Sequence, residues 1–247
     1  MATHGGPNII DDGLVFYIDP ANTDSYDSGS TASGSAFNLM TPIFSGSREI
    51  TGSLSSIPMF EDINQGVFNF DTTDMINLQN TPDLFVGSFS VSVWFNKISQ
   101  TGVIFGRYVG ANQMGDFEIR TNSSATFKMQ VHSGGGFGDL DLYSTTDTYS
   151  SGNWYNVVTT FNHNGSTYTR KIYVDGDLDS NDTPTTMDAW VAVSAPAFIT
   201  TIGAMSTNGT SPTQAFNGDI GPVQIYNRAL SAQEVKQNFN ALNRFGI

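Results

Sequence analysis

FNGDIGPVQIYNRALSAQEVKQNFNAL (residues 216–242) runs a strand directly into a helix. The half DIGPVQIYN reads as an extended apolar segment. The other half opens with Ser231 and places Glu234 three residues on. That spacing is a capping box: the serine oxygen accepts from a free N–H of the first helical turn, and the glutamate reaches back to the N-cap amide. Val235, Phe239 and Leu242 then recur at helical spacing and give one apolar stripe. A short amphipathic helix with a single apolar stripe needs a surface to lie on. The preceding chain must supply it, and almost all of that chain reads as strands.

Working outward, SFSVSVWF (88–95) alternates with period two. Phe89, Val91, Val93 and Phe95 share one face; Ser90, Ser92 and Trp94 share the other. GLVFYID (13–19), GVFNF (66–70), GVIFGRYV, DFEIRT and TFKMQVH are further short strands. NWYNVVTTFN (153–162) and YTRKIYVDGDL (168–178) form a hairpin about HNGS, because Asn-Gly supplies the positive φ that a tight reversal needs. Turn signals recur about every 8–12 residues, the pattern of an all-β sandwich or barrel. The reading is one domain over 1–247. It carries a short N-terminal arm (1–8) that lies free of the core and a long Ser/Gly-rich excursion (21–62) anchored by Phe37, Leu39, Ile43, Phe44 and Ile57.

Composition narrows the function. The 247 residues carry a formal net charge of -13, and only 13% are charged, against about 25% in an average domain. An acidic chain lacks the basic stripe that nucleic-acid phosphates require and is repelled by anionic membrane surfaces. No stretch approaches the roughly 20 apolar residues of a membrane span. With no cysteine, disulfide frameworks, thiolate metal sites and thiol catalysis are excluded. The opening shows no basic region followed by an apolar core, so no signal peptide is expected.

GNWYNVVTTFNHNGSTYTRKIYVDGDL resembles the central segment of laminin-G-like, concanavalin A-like jelly rolls, with its G-x-W-Y-x-V-V and Y-V-D-G. FNGDIGPVQIYNRALSAQEVKQNFNA resembles the closing segment of that group, and VFNFDTTDMINL and SFSVSVWF resemble its earlier paired strands in the expected order. The resemblance implies a two-sheet antiparallel jelly-roll sandwich with a short C-terminal helix. The opening, GGPNIIDDGLVFYIDPANTDSY, resembles that of stand-alone domains of this type in tailed-bacteriophage virion proteins. Related jelly rolls hold one Ca²⁺ through an aspartate near the last strand. Asp219 in NGDIG matches that position, and Asp19 and Asp71, at strand ends, are the candidates to join it.

Other chemistry is tested against plainer readings. Glycoside hydrolysis needs two carboxyl groups about 5–9.5 Å apart. The four glutamates are Glu49, Glu61, Glu118 and Glu234. Glu234 is used in capping, and Asp116-Phe117-Glu118 is the nearest approach to a catalytic run. Asp175, Asp177 and Asp179 are spaced like the start of an EF-hand loop. Ser180 stands where that loop needs glycine and Thr186 where it needs glutamate, so an acidic turn is the better reading. His4, His132 and His163 fall in unrelated contexts and read as surface residues. Trp94 and Trp154 lie in strands, at positions that the resemblance places in the core. Tyr143, Tyr149 and Trp190 remain as candidates to contact a ligand or partner.

The expectation is a non-enzymatic virion structural protein, a capsid decoration or tail appendage present in many copies and assembled in the host cytoplasm. Its expected partners are other virion proteins and host surface glycans. A secreted carbohydrate-binding adhesin module is the first rival and a glycoside hydrolase the second.

Overall fold

The computed structural model describes residues 8–25, 35–37, 39–40, 49–51, 59–78, 87–97, 101–108, 117–121, 127–132, 139–144, 150–165, 167–182, 185–186 and 199–247. Among them the chain forms β1 (Leu14–Ile18), β2 (Ser35–Phe37), β3 (Glu49–Thr51), β4 (Met59–Glu61), β5 (Val67–Phe70), β6 (Ile76–Asn77), β7 (Phe89–Lys97), β8 (Gly102–Tyr108) and β9 (Phe117–Thr121). There follow β10 (Phe127–His132), β11 (Asp139–Tyr143), β12 (Trp154–His163), β13 (Thr167–Val174), β14 (Asp177–Asn181), β15 (Thr185–Thr186), β16 (Ile199–Ile202), β17 (Gly218–Tyr226) and the helix α1 (Ala232–Leu242).

Two antiparallel sheets make the sandwich. One has nine strands, in the order β14-β13-β12-β7-β17-β5-β4, with β1 also on β17 and β15 also on β13. The other has six, in the order β11-β10-β9-β8-β16-β6, and β2 and β3 form a separate ribbon. Phe89, Val91, Val93 and Phe95 of β7 meet Phe105, Phe117, Ile119 and Ile202 of the facing sheet in one buried core. The hairpin about residues 164–167 is as expected, with His163 opposite Tyr168.

Pro222 sits inside a central strand, where proline is ordinarily excluded because it cannot donate to the ladder. The strand tolerates it through an irregularity between Ile220 and Val223. The same point divides one edge of β17 between two partners: β5 pairs with residues 218–220 and β1 with residues 223–226. The proline stands at the handover.

The alternation of β7 sorts its side chains onto two faces. The structure buries both, because α1 and the segment after it cover the outside of the nine-stranded sheet. Trp94 stacks on Phe239 at 5.4 Å and on Phe245 at 4.9 Å, and Trp154 stacks on Phe245 at 3.9 Å. Val235 is fully buried beside Leu14, Val158, Tyr173 and Tyr226. Ser90 is buried for a different reason: its hydroxyl donates to the Arg228 carbonyl at 2.8 Å and accepts from Leu230 N at 2.9 Å, so it fastens the strand-to-helix turn.

Two expectations about chain ends need correction. The N-terminal arm is not free through residue 8. Gln237 Nε2 donates to the Asn8 carbonyl at 2.7 Å, and Ile10 N donates to Asn238 Oδ1 at 2.8 Å. The chain is therefore tied to α1 before β1 begins; residues 1–7 lie outside the described residues. The excursion also ends earlier than residue 62, since β4 pairs with β5 and extends the nine-stranded sheet. Leu39 N donates to the Tyr17 carbonyl at 2.8 Å, a backbone tie between the excursion and β1. Phe44, Ile43 and Ile57 lie outside the described residues.

The capping box forms as its sequence requires. Ser231 Oγ accepts from Glu234 N at 3.3 Å, and Glu234 Oε2 accepts from Ser231 N at 2.8 Å. Arg228 adds a two-pronged contact to Glu234, at 2.6 and 3.0 Å. These bonds, the arginine first, hold the Glu234 carboxyl down at about 2 against an ordinary 4.5. A carboxyl depressed by folding contributes stability above its ordinary value and loses it as pH falls toward the folded value. The melting temperature of the native chain should therefore fall between pH 4.5 and 2. Glu234→Gln should flatten that part of the profile; an identical pH slope in the variant would remove Glu234 from the account.

Candidate ligand-binding face

The six-stranded sheet turns Phe117, Ile119, Leu142 and Ile202 into the core. Residues between them face away, because side chains alternate along a strand. The register lines these residues up across the sheet. Asp141 lies opposite Gln130, Gln130 opposite Glu118, Glu118 opposite Gly106, Gly106 opposite Thr201, and Thr201 opposite Asn77. One transverse row thus crosses all six strands with no apolar side chain in it. The next row sets Tyr143 opposite Lys128 and Lys128 opposite Arg120.

The two ends of this face differ. At the β6 end a loop folds over the row. Asn77 Nδ2 donates to the Gly209 carbonyl at 2.6 Å, and Thr201 Oγ1 donates to the Ala204 carbonyl at 2.6 Å. Met205 Sδ lies 3.2 Å from the place a side chain at Gly106 would begin, so the bare residue leaves room for the loop. At the β11 end Tyr143 is 46% exposed. Between them Glu118 is buried and accepts from Arg120 at 3.0 Å along its own strand.

A family model described as the concanavalin A-like lectin/glucanases superfamily matches residues 70–236. The chain belongs to this superfamily. Its matched span begins at the last residue of β5 and ends inside α1, so it takes in the whole six-stranded face. Among solved structures of the same sandwich, the carbohydrate-binding module of a Ruminococcus gnavus sialidase, bound to alpha2,3 sialyllactose, has a TM-score of 0.56 at 13% identity. That likeness covers 69% of this chain and 94% of the module. The receptor-binding domain of botulinum neurotoxin type G has a TM-score of 0.59 at 14% identity over 92% of this chain, which spans 51% of that one. The binding domain of botulinum neurotoxin DC, in complex with rat synaptotagmin II, has a TM-score of 0.60 at 12% identity, covering 94% of this chain and 52% of its own. No curated protein matches by sequence.

The concanavalin A-like frame separates the residues singled out by sequence. Tyr143 lies at the β11 end of the face. Tyr149 and Trp190 lie outside the described residues. Trp94 and Trp154 are in the core as expected. His132 is opposite Asp139 at the end of β10, His163 accepts from Gly165 N at 3.4 Å in its turn, and His4 lies outside the described residues. The aspartates after β13 form an acidic turn. Asp175 accepts from Asn156 N at 2.8 Å, and Asp177 pairs with Lys236 of α1 at 2.8 Å.

The three aspartates assigned to a calcium ion are not brought together. Asp19 is buried, and its cation is a guanidinium: Arg244 donates to both carboxylate oxygens, at 2.8 and 3.1 Å. Asp71 is exposed in a turn and accepts from Thr73 N and Thr73 Oγ1 at 2.6 Å each, bonds that hold its carboxyl below the usual range. Asp219 is buried with Asn69 Nδ2 donating at 2.7 Å, and burial pushes its carboxyl up. Arg244 also donates to the Gly66 carbonyl, which fixes Asp19 at the start of β5, whereas Asp71 follows its end. At ~3.3 Å per strand residue this separation is on the order of 15 Å. Among the described residues no three His, Asp or Glu side chains are grouped to hold a metal.

Two carboxyl-bearing positions fall on this face. Glu118 and Asp141 share the row with one strand between them, so their backbones stand roughly two strand spacings, about 9.6 Å, apart. Glu118 is already engaged by Arg120. Asp116, which sequence joined to Glu118, lies outside the described residues. The row that sequence analysis missed could have been sought in the polar positions of DFEIRT, TFKMQVH and DLDLY. Only the register shows that those positions coincide.

Proposed function

We propose that the protein is a non-catalytic glycan-binding domain and that the β11 end of the six-stranded sheet is its contact surface. The exposed Tyr143 at the β11 edge carries this reading. Arg120, partly exposed in the same register row as Tyr143, adds a planar guanidinium that can meet sugar hydroxyls. Tyr143 offers a ring for the apolar face of a sugar and a hydroxyl for its rim. The solved neighbours add support, since one is a module bound to alpha2,3 sialyllactose and cell entry of another, botulinum neurotoxin type C, depends on interaction with two ganglioside molecules.

Tyr143 is exposed on a strand whose core contact is made by Leu142, so Tyr143→Ala should leave the fold intact. On a glycan array the variant should lose binding by about tenfold, the equivalent of ~1.4 kcal/mol. Equal binding by variant and native chain would move the contact surface elsewhere. No hydrolysis of the bound glycan is expected.

A virion setting is the companion proposal. It rests on the opening GGPNIIDDGLVFYIDPANTDSY, which resembles phage-encoded members of this fold, and it suits a weak single site, because many copies on one particle multiply weak contacts. Residues 1–7 and the excursion are then the surfaces that meet other virion proteins. Mass spectrometry of purified particles should find the chain at high copy number. Secretion of the chain without particle association would favour an adhesin module.

A further inference from the structure

A groove of about 650 Å³ lies where the end of α1 meets the turn after β1, lined by Asp19, Asn22, Thr23, Gln65, Asn243 and Arg244. Its floor is a closed ion pair. Arg244 donates to both oxygens of Asp19, to the Asn64 carbonyl at 2.8 Å and to the Gly66 carbonyl at 3.1 Å. Ala21 N donates to the same carboxylate at 3.0 Å. The two charges cancel against each other, so the floor presents polar edges without a net charge.

The walls are different in kind. Asn22, Thr23 and Gln65 are exposed. Asn22 Oδ1 accepts from Asp24 N at 2.9 Å. The Asn22 amide nitrogen, the Thr23 hydroxyl and the whole Gln65 amide make no hydrogen bond among the described residues. Gln65 also holds a left-handed backbone, with φ +70°, directly after Asn64 at +48°. Asparagine tolerates that region through its short polar side chain, but glutamine does so at a steric cost that glycine would avoid. A side chain is therefore kept at an unfavourable backbone position, on a groove wall, with its amide unspent inside the molecule. An observed outlier of this kind points toward function.

We propose that this groove is a second binding site, for a neutral saccharide, with Gln65, Asn22 and Thr23 as its contacts. Amide and hydroxyl groups offer donor and acceptor atoms side by side, as vicinal sugar hydroxyls require. Ala21, Ala241 and Leu242 supply an apolar strip for the C–H face of the ring. The closed ion pair and the overall charge of -13 select against anionic ligands. The site shares no residue with the face carrying Tyr143 and stands whether or not that face binds.

The test is an NMR titration of the ¹⁵N-labelled full chain with maltotriose, cellotriose and lactose. At least one should shift the side-chain amides of Gln65 and Asn22 together with the backbone amides of residues 21–23 and 64–66. Gln65→Gly removes the amide and the steric cost together. It should keep the native spectrum, melt no lower than the native chain and bind at least about tenfold more weakly. Thr23→Ala should weaken binding in the same direction, whereas Tyr143→Ala should leave these shifts unchanged. No shift at these amides with any of the three sugars overturns the proposal, as does unaltered binding by both Gln65→Gly and Thr23→Ala. Loss of the groove shifts in Tyr143→Ala overturns the claim of a separate site.

Discussion

Trp94→Ala should lower the melting temperature by on the order of 10 °C. Trp94 is fully buried and lies between the outside of the nine-stranded sheet and the two rings that close over it, Phe239 of α1 and Phe245 beyond it. Truncating a buried aromatic side chain to alanine costs ~3–5 kcal/mol, and a chain of this size loses roughly 2–4 °C per kcal/mol. The change also withdraws the surface on which α1 lies. Phe239→Ala, which removes the helix's own ring, should destabilise in the same direction. The double variant should lose less than the sum of the two, because both changes remove one stacked contact. Thermal unfolding followed by circular dichroism measures all three variants. A loss below about 0.5 kcal/mol in Trp94→Ala, the size of an ordinary surface change, would show that α1 is not held by this stack.

Gly218→Ala should be as damaging, for a backbone reason. Gly218 begins β17 at φ +149°, and a methyl group there would stand 2.1 Å from the Asn96 carbonyl oxygen and 2.9 Å from the Lys97 Cα. Both neighbours are backbone atoms of β7, so no rotamer change relieves the contact. Overpacking costs about 1–3 kcal/mol and a strained backbone about as much again. The expected loss is about 4 kcal/mol, with the pairing of β17 to β7 opened at its first residues. Hydrogen exchange at Lys97 and Asn96 should accelerate most. A variant with native stability and native exchange at these amides would mean that the strands do not approach this closely.

The fold was legible where one residue type can serve one local purpose. Ser231 and Glu234 specify a helix start whatever lies around them, and period-two alternation over 88–95 specifies a strand. The same alternation does not report exposure. Ser90 and Ser92 look outward because serine is polar, but Ser90 is spent on the strand-to-helix turn and Asn156 Nδ2 donates to Ser92 Oγ at 3.2 Å inside the sheet. The second ring over Trp94, Phe245, follows the helix and belongs to no periodic pattern.

The sites were less legible, because they depend on pairings between distant strands. Asp19 and Arg244 are separated by 225 positions, and sequence paired Asp19 with a metal ion where the fold supplies an arginine. Gln65 stands out only through its backbone angle. The six-residue row across the second sheet exists only once the register of β11, β10, β9, β8, β16 and β6 is known. Tyr143 is a contact candidate in the sequence only as one aromatic among several, and its exposure on β11 is visible only in the fold.

The position of β17 has a consequence for how the molecule is made. It follows every other strand in the chain, yet it lies between β7 on one side and β5 and β1 on the other. A ribosome delivers the flanking strands first and the strand that joins them last. Until residues 218–226 emerge, β1 and β5 have no partner at this seam, and α1 has no completed sheet to cover. Such long-range closure is slow, and waiting strands are exposed to other chains. Growing nascent chains should therefore gain protease resistance in one late step instead of strand by strand.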